Sequence, residues 1–205
     1  MSTVKDAYTD GARRLATRSM TGLARTRLTP NALTAAGVSI SSLGGVLVYF
    51  EYRNEILFYW LGGVVFVVGS LLDVLDGALA RQSGKGTPFG AFIDSTTDRI
   101  GEFVMLGAIA LVFSRHEKEW ALALAIAAIG GSFLVSYTRA RAEALGLKGN
   151  VGLSSRAERV VIISGGLAFA PWGGLPWAIL ALAASAWLTV LQRIFAVKKQ
   201  IAARP

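Results

Sequence analysis

Residues 73–98 of the sequence read DVLDGALARQSGKGTPFGAFIDSTTD, and this stretch decides how the rest of the chain is arranged. The run before it, residues 56–72, is apolar and uncharged, which is typical of a membrane-spanning helix. Asp73 and Asp76 therefore fall near one end of a predicted span. An ionisable side chain at such a depth indicates a functional site.

The same stretch predicts two helices joined by a turn. Asp73 and Asp76 are three positions apart and share one helix face. Asp94 and Asp98 are four positions apart and share a face of the following helix. Thr87 is suited to be an N-cap and a proline follows it, so the second helix starts there and runs back into the bilayer. With a rise of about 1.5 Å per residue, the two pairs lie at similar depths and face each other.

Carboxylates that face each other in a medium of low dielectric repel, so their charged forms require a compensating cation. The chain has no cysteine and a single, distant histidine, which favours a hard cation bound by oxygen, Mg²⁺ or Mn²⁺. Four carboxylates at this spacing can hold two such ions. Gly77 and Gly90 leave room beside them for a helix contact or a ligand. The predicted metal ligands are Asp73, Asp76, Asp94 and Asp98.

Eight positions in this stretch form a pattern with fixed spacing: Asp73, Asp76, Gly77, Ala80, Arg81, Gly90, Asp94 and Asp98. The pattern resembles the signature of the CDP-alcohol phosphotransferases. This resemblance implies a polytopic, homodimeric membrane enzyme that transfers a phosphatidyl group from a CDP-linked lipid to an alcohol and releases CMP. It also implies that the first three aspartates bind two divalent ions and that Asp98 is the base for the acceptor hydroxyl.

The resemblance further implies a nucleotide site. The Gly-x-x-Ala-Arg part of the pattern lines this site in the family, and the stretch before the first apolar segment lies near the cytidine. The residues assigned to the CDP-lipid on this basis are Asn31, Asp73, Gly77, Ala80 and Arg81.

Composition points to a membrane protein. Hydrophobic residues make up 53% of the 205 residues, and the mean hydropathy is +0.51, which is too apolar for an ordinary soluble domain. The absence of cysteine excludes disulfides and thiolate chemistry. The net charge of +8 does not indicate nucleic-acid binding, because in a membrane protein such an excess lies in cytoplasmic loops.

We therefore predict an all-α integral membrane protein with six transmembrane helices and an N-terminal amphipathic helix on the membrane surface. The predicted spans are residues 32–50, 56–80, 89–114, 120–137, 160–170 and 175–196. The fifth is short for the roughly 20 residues that a span requires, so it must draw in flanking residues. The predicted units are the amphipathic segment 1–29, the membrane domain 30–197 and a basic tail, 198–205. A mobile basic tail is the alternative for residues 1–29.

Basic residues decide the predicted orientation. Most of the 21 Lys and Arg residues lie in the N-terminal segment, the turn after the second span, the loop after the fourth span and the C-terminal end. The positive-inside rule then places both termini and the aspartates on the cytoplasmic side of the cell membrane.

A second informative stretch lies around the fourth and fifth spans. Arg139, Arg141, Arg156 and Arg159 stand at the predicted cytoplasmic ends of these spans, which outlines a phosphate pocket. Ordinary positive-inside loop charge is the alternative interpretation. The pattern is similar to the family branch that makes phosphatidylinositol phosphate, so the implied substrates are CDP-diacylglycerol and inositol 1-phosphate. The predicted acceptor site comprises Ser136, Arg139, Arg141, Arg156, Arg159 and Arg193.

The predicted reaction is a single displacement at the phosphorus that bears the diacylglycerol, with Asp98 accepting the proton of the inositol hydroxyl. Two alternatives remain open. Glycerol 3-phosphate carries the same phosphate, and its use would make the protein a phosphatidylglycerophosphate synthase. Intramembrane carboxylates also build cation transporters, but those sites are expected near the midplane, often within an internal repeat.

Overall fold

The structure, a computed structural model, describes residues 30–83 and 87–203, with side chains for residues 32–73 and 87–203. All secondary structure in this part of the chain is helical, and two 3₁₀ turns accompany six α-helices. The helices are α1, Pro30–Tyr49; α2, Glu55–Ser83; α3, Pro88–Arg115; α4, Glu119–Ala144; α5, Arg156–Ala168; and α6, Leu175–Ala202. The predicted amphipathic helix, 1–29, lies outside the described residues.

The helix starts follow local capping rules. The N–H of Gly90 donates to Thr87 Oγ1 at 3.0 Å and a proline occupies the first helical position, so the predicted start of α3 is confirmed. At the start of α5, the backbone N–H of Ser155 donates to the Glu158 carboxylate.

The six described helices pack in a closed ring. Going round the ring, α1 packs on α2, α2 on α5, α5 on α6, α6 on α4, α4 on α3, and α3 on α1. Since α1 contacts both α2 and α3, it holds together the two helices that carry the aspartates.

The contact between α1 and α2 depends on glycine. A Cβ atom at Gly44 of α1 would lie 2.8 Å from the carbonyl oxygen of Gly62 and 2.8 Å from the backbone nitrogen of Phe66, both on α2. Such distances allow no side chain, so the two backbones approach each other only because glycine is present.

Helix α3 contributes buried core residues from its second half and is polar in its first half. Its buried apolar residues are Met105, Leu106, Ile109, Val112 and Phe113. They belong to one core cluster with Ile163 and Leu167 of α5 and with Ile179 and Leu182 of α6. The packed second half therefore anchors the first half of α3, which carries Asp94 and Asp98.

Four of the described helices are long and apolar enough to cross a membrane: α1, α2, α4 and α6. Helix α3 carries Asp94, Asp98 and Arg99 in its first half and Glu102 at its midpoint, which lowers its hydropathy. Helix α5 has 13 residues and spans only about 20 Å at 1.5 Å per residue. Six membrane-crossing helices are therefore not established by length and composition.

An ion pair with a buried carboxylate lies at the end of the bundle away from the aspartates. Arg115, at the end of α3, donates to Glu51 Oε1 at 2.8 Å and to the Tyr49 carbonyl at 2.9 Å. The guanidinium lies 4.6 Å from the ring centres of both Tyr49 and Tyr52. Glu51 is only 2% exposed, and His116 Nε2 lies 3.3 Å from its Oε1.

Candidate active site

Helices α2 and α3 bring three of the four predicted metal ligands together. Carboxylate oxygens of Asp73, Asp94 and Asp98 all lie within 4.8 Å of one another. Asp73 is buried in α2, and the other two are half-buried on one face of α3. Asp76 lies three positions beyond Asp73 in α2, outside the part whose side chains are described. An all-oxygen donor set of this kind fits a hard divalent cation.

Two arginines flank these carboxylates. Arg156, the first residue of α5, donates to Asp73 Oδ2 and lies 2.6 Å from Asp98 Oδ1. Arg99 lies 3.7 Å from the other oxygen of Asp98. Their charges offset the repulsion between the carboxylates. Arg156 was predicted to hold the acceptor phosphate; its guanidinium lies against the aspartates, and its role toward the acceptor stays a prediction.

A narrow cavity of about 10 Å³, room for roughly one water molecule, lies beside Asp73 and Asp98, between α1, α2, α3 and α5. Its polar wall consists of Ser41, Ser70, Asp73, Thr97, Asp98, Glu102 and Arg156. Its other walls are apolar and include Phe66 and Ile163. Asp73 and Asp98 therefore face a small cavity at the edge of the apolar core.

A larger groove of about 900 Å³ opens between α3 and α4. Asp94 and Asp98 line one side, and Ser136 and Arg139 of α4 line the other. Arg139 is exposed at the rim, where its Nε donates to Glu143 Oε1 at 2.9 Å. Two predicted acceptor residues thus share one groove with two predicted metal ligands.

The other predicted acceptor arginines do not point into this groove. Arg159 is buried and forms two hydrogen bonds with Glu102, at 2.7 and 2.9 Å. Arg193 is also buried, and its guanidinium donates to the carbonyls of Val151 and Val135. Arg141 is exposed and lines neither cavity.

Glu102 is a site residue that the sequence reasoning missed. It follows Asp94 and Asp98 at intervals of four residues, so the three carboxylates form one row along α3. That spacing was the signal that could have identified it.

The predicted nucleotide residues lie where the structure gives less detail. Asn31 falls in the first turn of α1, and Gly77, Ala80 and Arg81 fall in the last third of α2. Their side chains lie outside the described part, so their assignment remains a prediction. Asp73 is the fifth residue of the set and sits in the carboxylate cluster.

Comparisons with known proteins agree with this site. The model of the CDP-alcohol phosphatidyltransferase family matches residues 27–197. The phosphatidylinositol phosphate synthase of Mycolicibacterium smegmatis is 37% identical over 182 residues, which cover 85% of this chain and 79% of that protein. The archaetidylinositol phosphate synthase of Pyrococcus horikoshii is 37% identical over 181 residues, covering 87% of this chain and 88% of its own.

Solved structures give the same result. The crystal structure of Mycobacterium tuberculosis phosphatidylinositol phosphate synthase with CDP-DAG bound is 30% identical, with a TM-score of 0.80 over 90% of this chain and 94% of that one. The structure of the same enzyme with manganese and citrate is also 30% identical, with a TM-score of 0.80 over 89% of this chain and 88% of that one. A family match over most of the chain, together with the facing aspartates, establishes that this chain belongs to the CDP-alcohol phosphatidyltransferase family of membrane transferases.

Proposed function

We propose that this enzyme transfers the phosphatidyl group of CDP-diacylglycerol to inositol 1-phosphate and forms phosphatidylinositol phosphate and CMP. The names of its relatives support this acceptor. The Mycolicibacterium and Pyrococcus enzymes are named for different lipids but for the same inositol phosphate head group. The family also favours a transfer reaction over cation transport as the role of the carboxylates.

The observation that carries the proposal is the groove between α3 and α4. A reaction between a lipid phosphate and an acceptor hydroxyl needs both substrates within reach of one base. The groove joins Asp98, the proposed base, to Ser136 and Arg139, which can donate hydrogen bonds to a phosphorylated polyol. It is open enough, at about 900 Å³, to admit such an acceptor.

The aspartates have separate proposed roles. Asp73, Asp76 and Asp94 would hold two divalent ions, Mg²⁺ or Mn²⁺, with Asp98 beside them as a further oxygen ligand. Such ions neutralise the negative charge of a diphosphate and of the departing CMP. The structure of the Mycobacterium tuberculosis relative with manganese supports a divalent metal.

The proposed chemistry is one displacement. The acceptor hydroxyl oxygen bonds to the phosphorus that carries the diacylglycerol, and the bond from that phosphorus to the oxygen of CMP breaks. Asp98 takes the hydroxyl proton, since it is half-buried on the groove and near the other carboxylates. No covalent intermediate with the protein is needed.

The lipid and nucleotide contacts remain proposals from the family pattern. Asn31, Gly77, Ala80 and Arg81 would contact the CDP moiety, together with Asp73. Gly77, Ala80 and Arg81 follow Asp73 by four, seven and eight positions in α2. This closeness to the carboxylate cluster is consistent with a diphosphate lying at the metal site.

We further propose the membrane arrangement. All six described helices would cross the membrane, α5 with help from the 3₁₀ turn after it, and residues 1–29 would form an amphipathic surface helix. The enzyme would be a homodimer in the cell membrane, with residues 30–197 as its membrane domain. Residues 198–205 would form a cytoplasmic tail, and both termini and the aspartates would face the cytoplasm. The charge distribution supports this orientation.

An assay of CMP release tests the acceptor directly. Purified enzyme with CDP-diacylglycerol is given inositol 1-phosphate, glycerol 3-phosphate or unphosphorylated inositol in parallel reactions. We expect turnover with inositol 1-phosphate and none with inositol, because the phosphate supplies charge-assisted hydrogen bonds to arginine. Faster turnover of glycerol 3-phosphate would contradict the acceptor and leave the metal-site proposal in place.

A further inference from the structure

The groove between α3 and α4 contains a carboxylate that the proposed reaction does not use. Glu143 lies in the last turn of α4 and lines this groove together with Ser136 and Arg139. Intervals of three and four positions place these residues on one face of the helix. The Glu143 side chain is 55% exposed, and its Oε1 accepts a hydrogen bond from Arg139 Nε at 2.9 Å. Within the described residues its other oxygen accepts no hydrogen bond, so it is open to a ligand in the groove.

The packing of α3 against α4 gives the depth of Glu143 in the groove. The two helices are joined by the short turn 116–118 and pack on each other, so they run antiparallel. The rings of Phe103 and Phe133 meet with their centres 6.3 Å apart, which places these two residues at the same level. Counting from this contact at about 1.5 Å per residue puts Arg139 near the level of Asp98 and Glu143 about 7 Å nearer the end of α4.

This spacing separates two groups that prefer different parts of a phosphorylated polyol. The acceptor phosphate is attracted to Arg139 and repelled by the Glu143 carboxylate. Hydroxyl groups, in contrast, donate charge-assisted hydrogen bonds to a carboxylate. When the reacting hydroxyl lies at Asp98, the hydroxyls on the far side of an inositol ring reach toward Glu143. In glycerol 3-phosphate the one remaining hydroxyl is on the carbon next to the reacting one, and it stays near Asp98.

We propose that Glu143 is a specificity-determining residue. Its carboxylate accepts hydrogen bonds from ring hydroxyls of the acceptor and so favours inositol 1-phosphate over glycerol 3-phosphate. The preference comes from hydrogen bonds that the shorter acceptor cannot form. The inference rests on the proposed function, since it assigns the subsite for the polyol ring of that acceptor.

Two simpler roles for Glu143 make different predictions. As an ordinary exposed i,i+4 ion pair with Arg139, it would contribute little, and its replacement would change neither acceptor. If it only oriented Arg139 toward the acceptor phosphate, its replacement would weaken both phosphorylated acceptors equally. Contact with the ring alone predicts a loss of preference between the two.

The first experiment measures kcat/KM for inositol 1-phosphate and for glycerol 3-phosphate in the CMP-release assay. If glycerol 3-phosphate is not turned over, its inhibition constant against inositol 1-phosphate replaces the second value. Glu143→Ala should lower the preference for inositol 1-phosphate by about 10- to 100-fold, the effect of losing a charge-assisted hydrogen bond. Glu143→Gln should have a smaller effect, because its amide oxygen still accepts a hydrogen bond.

Glu119→Gln is the matched control, because Glu119 is an exposed glutamate at the opposite end of the same helix. It should leave the preference unchanged. The preference is a ratio, so it does not depend on how much enzyme folds. An unchanged preference in Glu143→Ala, an equal loss for both acceptors, or the same change in Glu119→Gln would overturn the inference.

The second experiment locates the contact on the substrate. Analogues of inositol 1-phosphate that each lack one non-reacting hydroxyl are compared in wild type and in Glu143→Ala. For at least one analogue, wild type should lose kcat/KM by a factor similar to the effect of Glu143→Ala, and the variant should lose no more with that analogue. Additive losses for every analogue would contradict a contact between Glu143 and the ring.

The failure of the proposed function is recognised in wild type alone. If wild type prefers glycerol 3-phosphate, the proposed acceptor is wrong and the inference falls with it. If wild type uses only unphosphorylated inositol, the proposed function is wrong, and the role of Glu143 is decided by comparing inositol with glycerol in the same variants.

Discussion

At the scale of single residues, the site is a set of carboxylates whose charges are offset by nearby arginines. Asp98 lies between Arg156 and Arg99, at 2.6 and 3.7 Å. Asp73 is buried and receives a hydrogen bond from Arg156. Arg156 thus offsets the negative charges of both Asp73 and Asp98, and Arg99 offsets that of Asp98 as well. Replacing an aspartate by asparagine should therefore affect substrate binding and the transfer rate to different degrees.

Asp98→Asn should reduce the transfer rate by about 10²- to 10⁴-fold, the usual contribution of a general base. It should spare binding of the CDP-lipid more than Asp73→Asn or Asp94→Asn does, because its proposed role is proton abstraction. CMP release and binding of a CDP-lipid analogue measure the two effects. Glu117→Gln, in the loop after α3, is the control and should leave both unchanged. A normal rate for Asp98→Asn would contradict its role as the base.

Turnover should also stop when excess EDTA removes divalent ions and should return on addition of Mg²⁺ or Mn²⁺. The physical reason is that three carboxylates within 4.8 Å of one another do not bind a diphosphate without intervening positive charge. Full activity in EDTA, measured as CMP release, would rule out the metal site.

At the scale of helices, the position of the aspartates depends on the close approach of α1 to α2. The backbones meet at Gly44, where any side chain would collide with backbone atoms of α2. Because α1 also packs on α3, displacement of α1 would change the spacing between the two helices that carry the carboxylates.

Gly44→Ala should therefore lower the free energy of unfolding by about 1–3 kcal/mol, the usual cost of an overpacked contact. Gly107→Ala is the matched control, because a Cβ atom at Gly107 of α3 would meet nothing within 4 Å. Thermal unfolding in detergent should show a lower midpoint for Gly44→Ala and little change for Gly107→Ala. Equal unfolding midpoints for the two variants would show that the close contact between α1 and α2 at Gly44 contributes little to the stability of the protein.

At the scale of the whole molecule, the distribution of charge predicts which end of the helix bundle faces the cytoplasm. The ring of helices has its carboxylate cluster near one end and the Glu51–Arg115 pair at the other. Basic residues are concentrated toward the end that carries the aspartates. The positive-inside rule predicts that this end faces the cytoplasm.

This orientation predicts the accessibility of two introduced cysteines, and the absence of native cysteine gives a clean background. In intact cells an impermeant maleimide should label Glu117→Cys, in the loop between α3 and α4, and should not label Ser2→Cys. Both should react after the cells are opened. The reverse pattern in intact cells would contradict the proposed topology.

The amino-acid sequence by itself determined the helical hairpin, the aspartate pairs and the approximate bounds of six helices, because these follow from short-range rules. Hydropathy marks apolar runs, Thr87 caps the helix that follows it, and spacings of three or four place carboxylates on one face. Helix α4 continues to Ala144, beyond the predicted end of its span at Tyr137. Its last turns are polar but contain good helix formers and an i,i+4 pair between Arg139 and Glu143.

Only the tertiary structure decided which arginine meets which partner. A cluster of arginines at helix ends has the same composition whether it binds phosphate, pairs with an acid or lies in solvent. Arg159 is 57 positions from Glu102, and Arg156 is 83 positions from Asp73, so each pairing depends on how α5 packs against α2 and α3. The sequence carries no local signal for that packing, because long side chains are directed by the neighbours that the folded bundle places around them.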